Sequence, residues 1–176
     1  MLDQSIYQKA IKFAGEKHHQ QKVPGSQANY LLHLSNVAME VITAYMHEPD
    51  FNLNLAIQLA LLHDTIEDTE TSTKEIEENF STQIAEGVVA LTKDKSIPDK
   101  LAKMKDSLER IKGIYKEVAI VKLADRITNL QPPPHTWNIE KIEKYKEAAK
   151  LIATELKGRN AYLDQRIGSK ISEYAK

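Results

Sequence analysis

The chain has 176 residues, 24 Lys+Arg against 25 Asp+Glu, a formal net charge of −1 and no cysteine. Balanced charge argues against a broad electrostatic footprint for nucleic acid, and the lack of cysteine excludes disulfides, thiolate nucleophiles and zinc–thiolate sites. The length suits one domain, residues 1–176, burying roughly 70% of its unfolded surface; without a signal-peptide pattern at its start or an apolar run near ~20 residues, a soluble cytoplasmic protein is expected.

Helical spacing runs nearly throughout. Ile6, Ala10, Ile11, Phe13 and Ala14 share one apolar face, and the segment turns polar from Lys17 to Gln21. Val23-Pro24-Gly25-Ser26 reads as a loop. Leu34, Val37, Ala38, Val41 and Ile42 place a second helix over 30–46, ending before Pro49. A third helix is expected over 53–68. Ser72 with Glu75 three residues later suggests a capping box for a short helix to about Phe80. Further helices are expected over 84–91, from near Pro98 to about Lys112, and over 117–130, where three prolines (132–134) follow. The last two cover 139–156 and 160–174, separated by Gly158. Val88 to Leu91 and Val118 to Val121 are short β-type runs, but each lies inside a longer helical pattern. The expected fold is all-α, a single-domain helical bundle.

Three places interrupt apolar helices with polar residues. His33 lies early in the second helix. His63-Asp64 ends the apolar run 56–62, with Glu67-Asp68 one turn further on. Asp125 stands among aliphatics in Val-Lys-Leu-Ala-Asp-Arg-Ile-Thr-Asn-Leu, 121–130. A carboxylate buried among aliphatics needs a partner. On one continuous helix His63 would lie near Glu67 and Asp64 near Asp68, making a single compact patch. Two imidazoles with two carboxylates suit a divalent first-row ion such as Mn²⁺, Fe²⁺ or Zn²⁺.

The pattern His33 … His63-Asp64 … Asp125 resembles that of the HD-domain metal-dependent phosphohydrolases. Within them, His-Asp-Thr-Ile-Glu-Asp-Thr and the 121–130 segment resemble the hydrolase domain of the RelA/SpoT alarmone proteins, above all the stand-alone small alarmone hydrolases, such as the metazoan SpoT homologue. The likeness covers nearly the whole chain, including Phe13-Ala14, His18, Gln21, Tyr30, Leu91-Thr92, Trp137, Tyr145, Gly158 and Asn160.

This resemblance implies a helical bundle that binds one divalent metal ion, Mn²⁺, and removes pyrophosphate from the ribose 3′ position of (p)ppGpp. His33, His63, Asp64 and Asp125 would hold the ion. Glu67 and Asp68 would be catalytic, Asp68 orienting the water and Glu67 carrying the proton. Lys22, Lys95, Asn129, Lys141 and Tyr145 would bind the nucleotide. The family has an arginine or a basic pair after the glutamine of its first loop, where this chain has Gln21-Lys22-Val23-Pro24. Lysine lacks the planar fork of a guanidinium, so an adenosine alarmone such as (p)ppApp stands beside the guanosine form. The likeness also implies hydrolysis without a synthetase segment, a small-molecule nucleotide as partner, no nucleic acid or membrane, and a monomer or small homo-oligomer.

Competing readings are a phosphohydrolase for another nucleotide (5′-nucleotidase-like), a dinuclear phosphodiesterase, a non-catalytic nucleotide sensor and a purely structural protein. The absence of any histidine between His63 and His135 weighs against the dinuclear type. His18 and His19 read as a polar helix end, His47 and His135 as solvent-facing, and Trp137 as a packing anchor. Lys22, Lys93, Lys95, Lys103 and Lys105 also fit a solvated face, and Tyr145 fits a core position.

Overall fold

Helix α8 (Lys116–Asn129) is buried from Glu117 through Thr128, and it forms the axis of the structure. A helix buried on all sides is ordinarily apolar all round, yet this one carries Glu117, Lys122, Asp125 and Arg126 into the interior. The computed structural model describes residues 2–174. Ten helices occur among them: α1 (Gln4–Lys17), α2 (Leu31–His47), α3 (Leu53–Leu62), α4 (Thr65–Asp68), α5 (Thr73–Asn79), α6 (Thr82–Leu91), α7 (Lys100–Lys112), α8, α9 (Ile139–Glu155) and α10 (Ala161–Glu173). Helices α2, α3, α6, α7, α9 and α10 pack round α8, and α1 closes the far side of α3. The all-α fold expected from the sequence is the observed one. Both β-type runs are helical, in α6 and α8.

The boundaries follow local chemistry. Asp3, Asn52, Ser72, Ser81, Asp99, Asn138 and Asn160 cap helix N-termini, each accepting a backbone N–H from the first turn. Half of the expected capping box forms: Ser72 Oγ accepts from the Glu75 N–H, while the Glu75 carboxylate turns to Lys17 at 2.5 Å. Gly87 lets α6 lie close against α3, because a Cβ there would collide with Leu59 and the Tyr115 hydroxyl.

One expectation fails where it matters. The helix predicted over 53–68 is broken: α3 stops at Leu62, His63 and Asp64 form a turn, and α4 begins at Thr65. Thr65 Oγ1 donates to the Leu62 carbonyl at 2.6 Å, giving that carbonyl a partner where the regular ladder ends. Asp64 sits at φ −99°, ψ −2°, in the bridge region common at active-site residues. The break re-aims the four polar residues that follow α3.

No helix of the described residues is long and apolar enough to cross a membrane.

Candidate active site

His33, from the first turn of α2, and His63-Asp64, at the break after α3, form a group whose ligand-type atoms all lie within 4.8 Å of one another. The two Nε2 atoms are 3.4 Å apart. Asp64 Oδ2 lies 3.0 Å from His63 Nε2 and 3.7 Å from His33 Nε2. Asp125 Oδ1 approaches from α8, 3.5 and 3.8 Å from the Nε2 atoms of His33 and His63. Ligands about 2.1 Å from a common ion stand roughly 3.0–3.4 Å apart, so these atoms need only small adjustments to share one. His63 is preset for that use, since its Nδ1 bonds the Ala60 carbonyl at 2.8 Å and leaves Nε2 facing the group.

Electrostatics bind the cluster together. Burial lowers the His63 pKa, but Asp64 and Asp125 outweigh it and hold the imidazole well above its ordinary value. Burial raises both carboxyls; His63 reverses this at Asp64, and Lys122, helped by the two histidines, reverses it at Asp125. Lys122 Nζ lies 3.3 Å from Asp125 Oδ2, and Tyr30 Oη donates to Asp64 Oδ2 at 2.5 Å. Each acid thus keeps one oxygen towards the histidines while a neighbour fixes it.

Asp68 stays one helical turn from Asp64, whose carbonyl accepts from the Asp68 N–H at 2.9 Å, but the Glu67 and Asp68 side chains engage other partners. Glu67 is taken by Lys93: Nζ lies 2.7 Å from Oε1 and the Lys93 backbone N–H donates to Oε2 at 3.1 Å. Asp68 points towards the loop after α1, where Gln21 Nε2 donates to Oδ2 at 2.8 Å. Partial burial raises the Asp68 pKa; the Gln21 bond opposes this, and Asp64 and Glu67 reinforce it. An open cleft of about 650 Å³ lies beside Asp68, with Gln21, Lys17, His19, Glu70 and Thr71 in its walls.

The five residues expected to bind nucleotide fall in separate places. Lys95 Nζ donates to the Glu67 carbonyl at 2.9 Å, and Asn129 Nδ2 donates to Asp125 Oδ1 at 2.5 Å. Those two join the centre directly. Lys141 lies 4.1 Å over the Trp137 ring, and Tyr145 meets Trp137 edge-on at 5.2 Å, so both α9 residues pack on the tryptophan that precedes that helix. Lys22 Nζ donates to Gln27 Oε1 at 2.6 Å within the loop before α2.

His18 corrects another expectation. It is 1% exposed rather than a polar helix end, with Nδ1 2.5 Å from Gln21 Oε1 and its ring 5.0 Å from that of Tyr30. His18, Gln21 and Asp68 form a continuous polar chain. Lys122 pairs with Asp125, as their spacing on one helix allows, whereas Tyr30, Gln21 and Lys93 are supporting residues whose contacts the sequence did not show. Apart from their place in the matched motifs, nothing in their spacing marked them.

A family model described as HD domain matches residues 10–160. The chain belongs to the HD-domain family. It is similar to proteins named guanosine-3′,5′-bis(diphosphate) 3′-pyrophosphohydrolase MESH1. That of Danio rerio is 31% identical over 168 residues, covering 93% of this chain and 91% of the relative. That of Homo sapiens is 33% identical over 161 residues, covering 89% and 87%. A solved structure of a metazoan orthologue of SpoT, described as hydrolysing ppGpp, superposes with a TM-score of 0.84 at 26% identity, covering 99% of this chain and 98% of that one.

Proposed function

We propose that this single-domain protein is a metal-dependent hydrolase that removes the 3′-pyrophosphate from (p)ppGpp-type alarmones, in their guanosine or adenosine form. The observation that carries the reading is the convergence of His33, His63, Asp64 and Asp125, with Asp68 held by Gln21 at the edge of an open cleft. The named activity of the MESH1 relatives supports the same reaction.

His33, His63, Asp64 and Asp125 would hold one divalent ion, for which Mn²⁺ is our assignment; two imidazoles with two carboxylates fit its donor preference. When bound, such an ion supplies Lewis acidity to a phosphoryl oxygen and acidifies a bound water. The chain's own groups do the rest. Asp68 orients a water from the cleft and takes its proton as the oxygen bonds to the 3′-proximal phosphorus. The bond from that phosphorus to the ribose 3′ oxygen breaks, and the oxygen needs a proton as it leaves. Glu67 has both oxygens engaged by Lys93, so the Glu67–Lys93 pair is assigned that protonation. Lys95, Lys141 and Lys22 would offset phosphate charge, with Asn129 and Tyr145 against the nucleoside. The products are a nucleoside 5′-phosphate ester and pyrophosphate. The setting is assigned as cytoplasmic, as a monomer or small homo-oligomer.

The test is a substrate panel: kcat/KM for ppGpp, pppGpp and ppApp with Mn²⁺, alongside a deoxynucleoside monophosphate. Turnover of any 3′-pyrophosphorylated nucleotide supports the reading, and the ratio between bases decides selectivity. Turnover of the monophosphate alone would replace it with a 5′-nucleotidase.

A further inference from the structure

Arg126 follows Asp125 on α8 and has only 8% of its surface exposed. Its Nε and Nη1 are wholly inaccessible and have no hydrogen-bond partner among the described residues. The guanidinium carbon lies 4.6 Å from the centre of the Tyr145 ring. A ring face attracts a guanidinium but leaves its in-plane N–H groups unsatisfied. A buried cation whose donors lack acceptors is strongly unfavourable unless something fills the site.

Lys93 and Lys122 line the same small cavity, of about 10 Å³, with Met104, Ser107 and Ile152 closing it. Lys93 faces Glu67 at 2.7 Å and Lys122 faces Asp125 at 3.3 Å. Each ammonium carries three N–H donors, so these contacts do not exhaust them. Lys93 is also under the influence of Asp64 and Asp125, whereas the buried Arg126 guanidinium has no hydrogen-bond partner for Nε or Nη1 among the described residues. A single water would occupy about this volume, but it would leave the buried Arg126 charge without a counter-charge. An oxygen of an oxyanion satisfies both the volume and the charge.

We propose that Arg126, with Lys93 and Lys122, forms an oxyanion pocket that receives a terminal oxygen of a phosphoryl group. The occupant is a phosphate of the bound nucleotide or free inorganic phosphate, which share this chemistry. Assignment to the nucleotide rests on the hydrolase reading; the pocket itself does not. Because Lys93 and Lys122 also hold Glu67 and Asp125, an anion here would sit directly beside the hydrolytic centre.

Inorganic phosphate is titrated calorimetrically into the metal-loaded wild-type, Arg126→Met and Arg126→Lys proteins, with metal content and circular dichroism measured for each. Losing charge-assisted hydrogen bonds should weaken phosphate binding by about tenfold to a hundredfold in Arg126→Met, with metal content unchanged. Arg126→Lys, which keeps the charge without the fork, should fall between, and it carries the test if the methionine variant does not fold. Phosphate affinity that is the same in wild type and in the folded variants would overturn the pocket. A higher nucleotide KM together with the lost phosphate binding identifies the nucleotide's phosphate as occupant; an unchanged KM identifies free phosphate. The titration needs no turnover, so failure to hydrolyse any alarmone would sink the hydrolase reading and leave the pocket standing.

Discussion

Gln21 Nε2 donates to Asp68 Oδ2 at 2.8 Å, tying the loop after α1 to the end of α4 across 47 residues of sequence. Hydrogen bonds to a charged group contribute about 1.5–3 kcal/mol. If Asp68 orients the attacking water, Gln21→Ala should lower kcat by roughly tenfold to a hundredfold with little change in metal content. The bond favours the carboxylate against the effect of burial. Its loss should therefore also move the acid limb of the kcat/KM profile to higher pH. An unmoved limb in a pH–rate comparison of the two proteins would separate Asp68 from the proton transfer.

Binding of the ion should displace a proton. Asp64 and Asp125 hold His63 well above its ordinary value despite burial, so the metal-free centre is protonated at neutral pH. A coordinating imidazole must be neutral. Metal affinity should thus fall as pH falls, with about one proton released per ion near neutrality. Calorimetry in two buffers of different ionisation enthalpy reads that number, and identical heats in both would contradict it.

Tyr30→Phe removes the hydroxyl that holds Asp64 Oδ2 at 2.5 Å while keeping the ring beside His18 and His33. Supporting contacts of this type are worth about 10–100-fold in metal affinity or activity. The expected result is a loss of about tenfold in metal affinity with thermal stability nearly unchanged, measured by competition with a chelating dye.

His18 should make stability pH-dependent. Burial lowers its pKa from 6.5, with Gln21 opposing in part. A lowered folded-state value means that the unfolded chain binds the proton more readily. The contribution is fully present above pH 6.5 and is lost as pH falls towards the folded value. Between about pH 7.5 and 5.5, the urea midpoint of wild type should fall further than that of His18→Gln. Parallel declines would contradict the buried, neutral histidine.

Much of this centre was legible because its residues break a pattern. His33, His63 and Asp125 each interrupt a largely apolar stretch, and the structure brings all three to one point with Asp64. The break between α3 and α4 was hidden, because hydrophobic periodicity runs on through His63 and only the Thr65 hydroxyl bond and the Asp64 backbone reveal the turn. The turn also sets the partners of the two acids that follow it, Lys93 for Glu67 and Gln21 for Asp68. His18 was hidden for the opposite reason: Lys17, His19, Gln20 and Gln21 around it read as a polar end, while tertiary packing against Tyr30 buries it. The helices were read well because their caps and apolar faces are local, whereas ion-pair partners such as Lys93 for Glu67, 26 residues apart, are not.

The central claim is that His33, His63, Asp64 and Asp125 support cleavage at a 3′-pyrophosphate. The most direct measurement is chromatographic quantification of the products of ppGpp in the presence of Mn²⁺, for wild type and Asp64→Asn. The account predicts GDP and pyrophosphate in equal amounts from wild type and neither from Asp64→Asn. Release of single phosphates, or equal turnover by the two proteins, would contradict it.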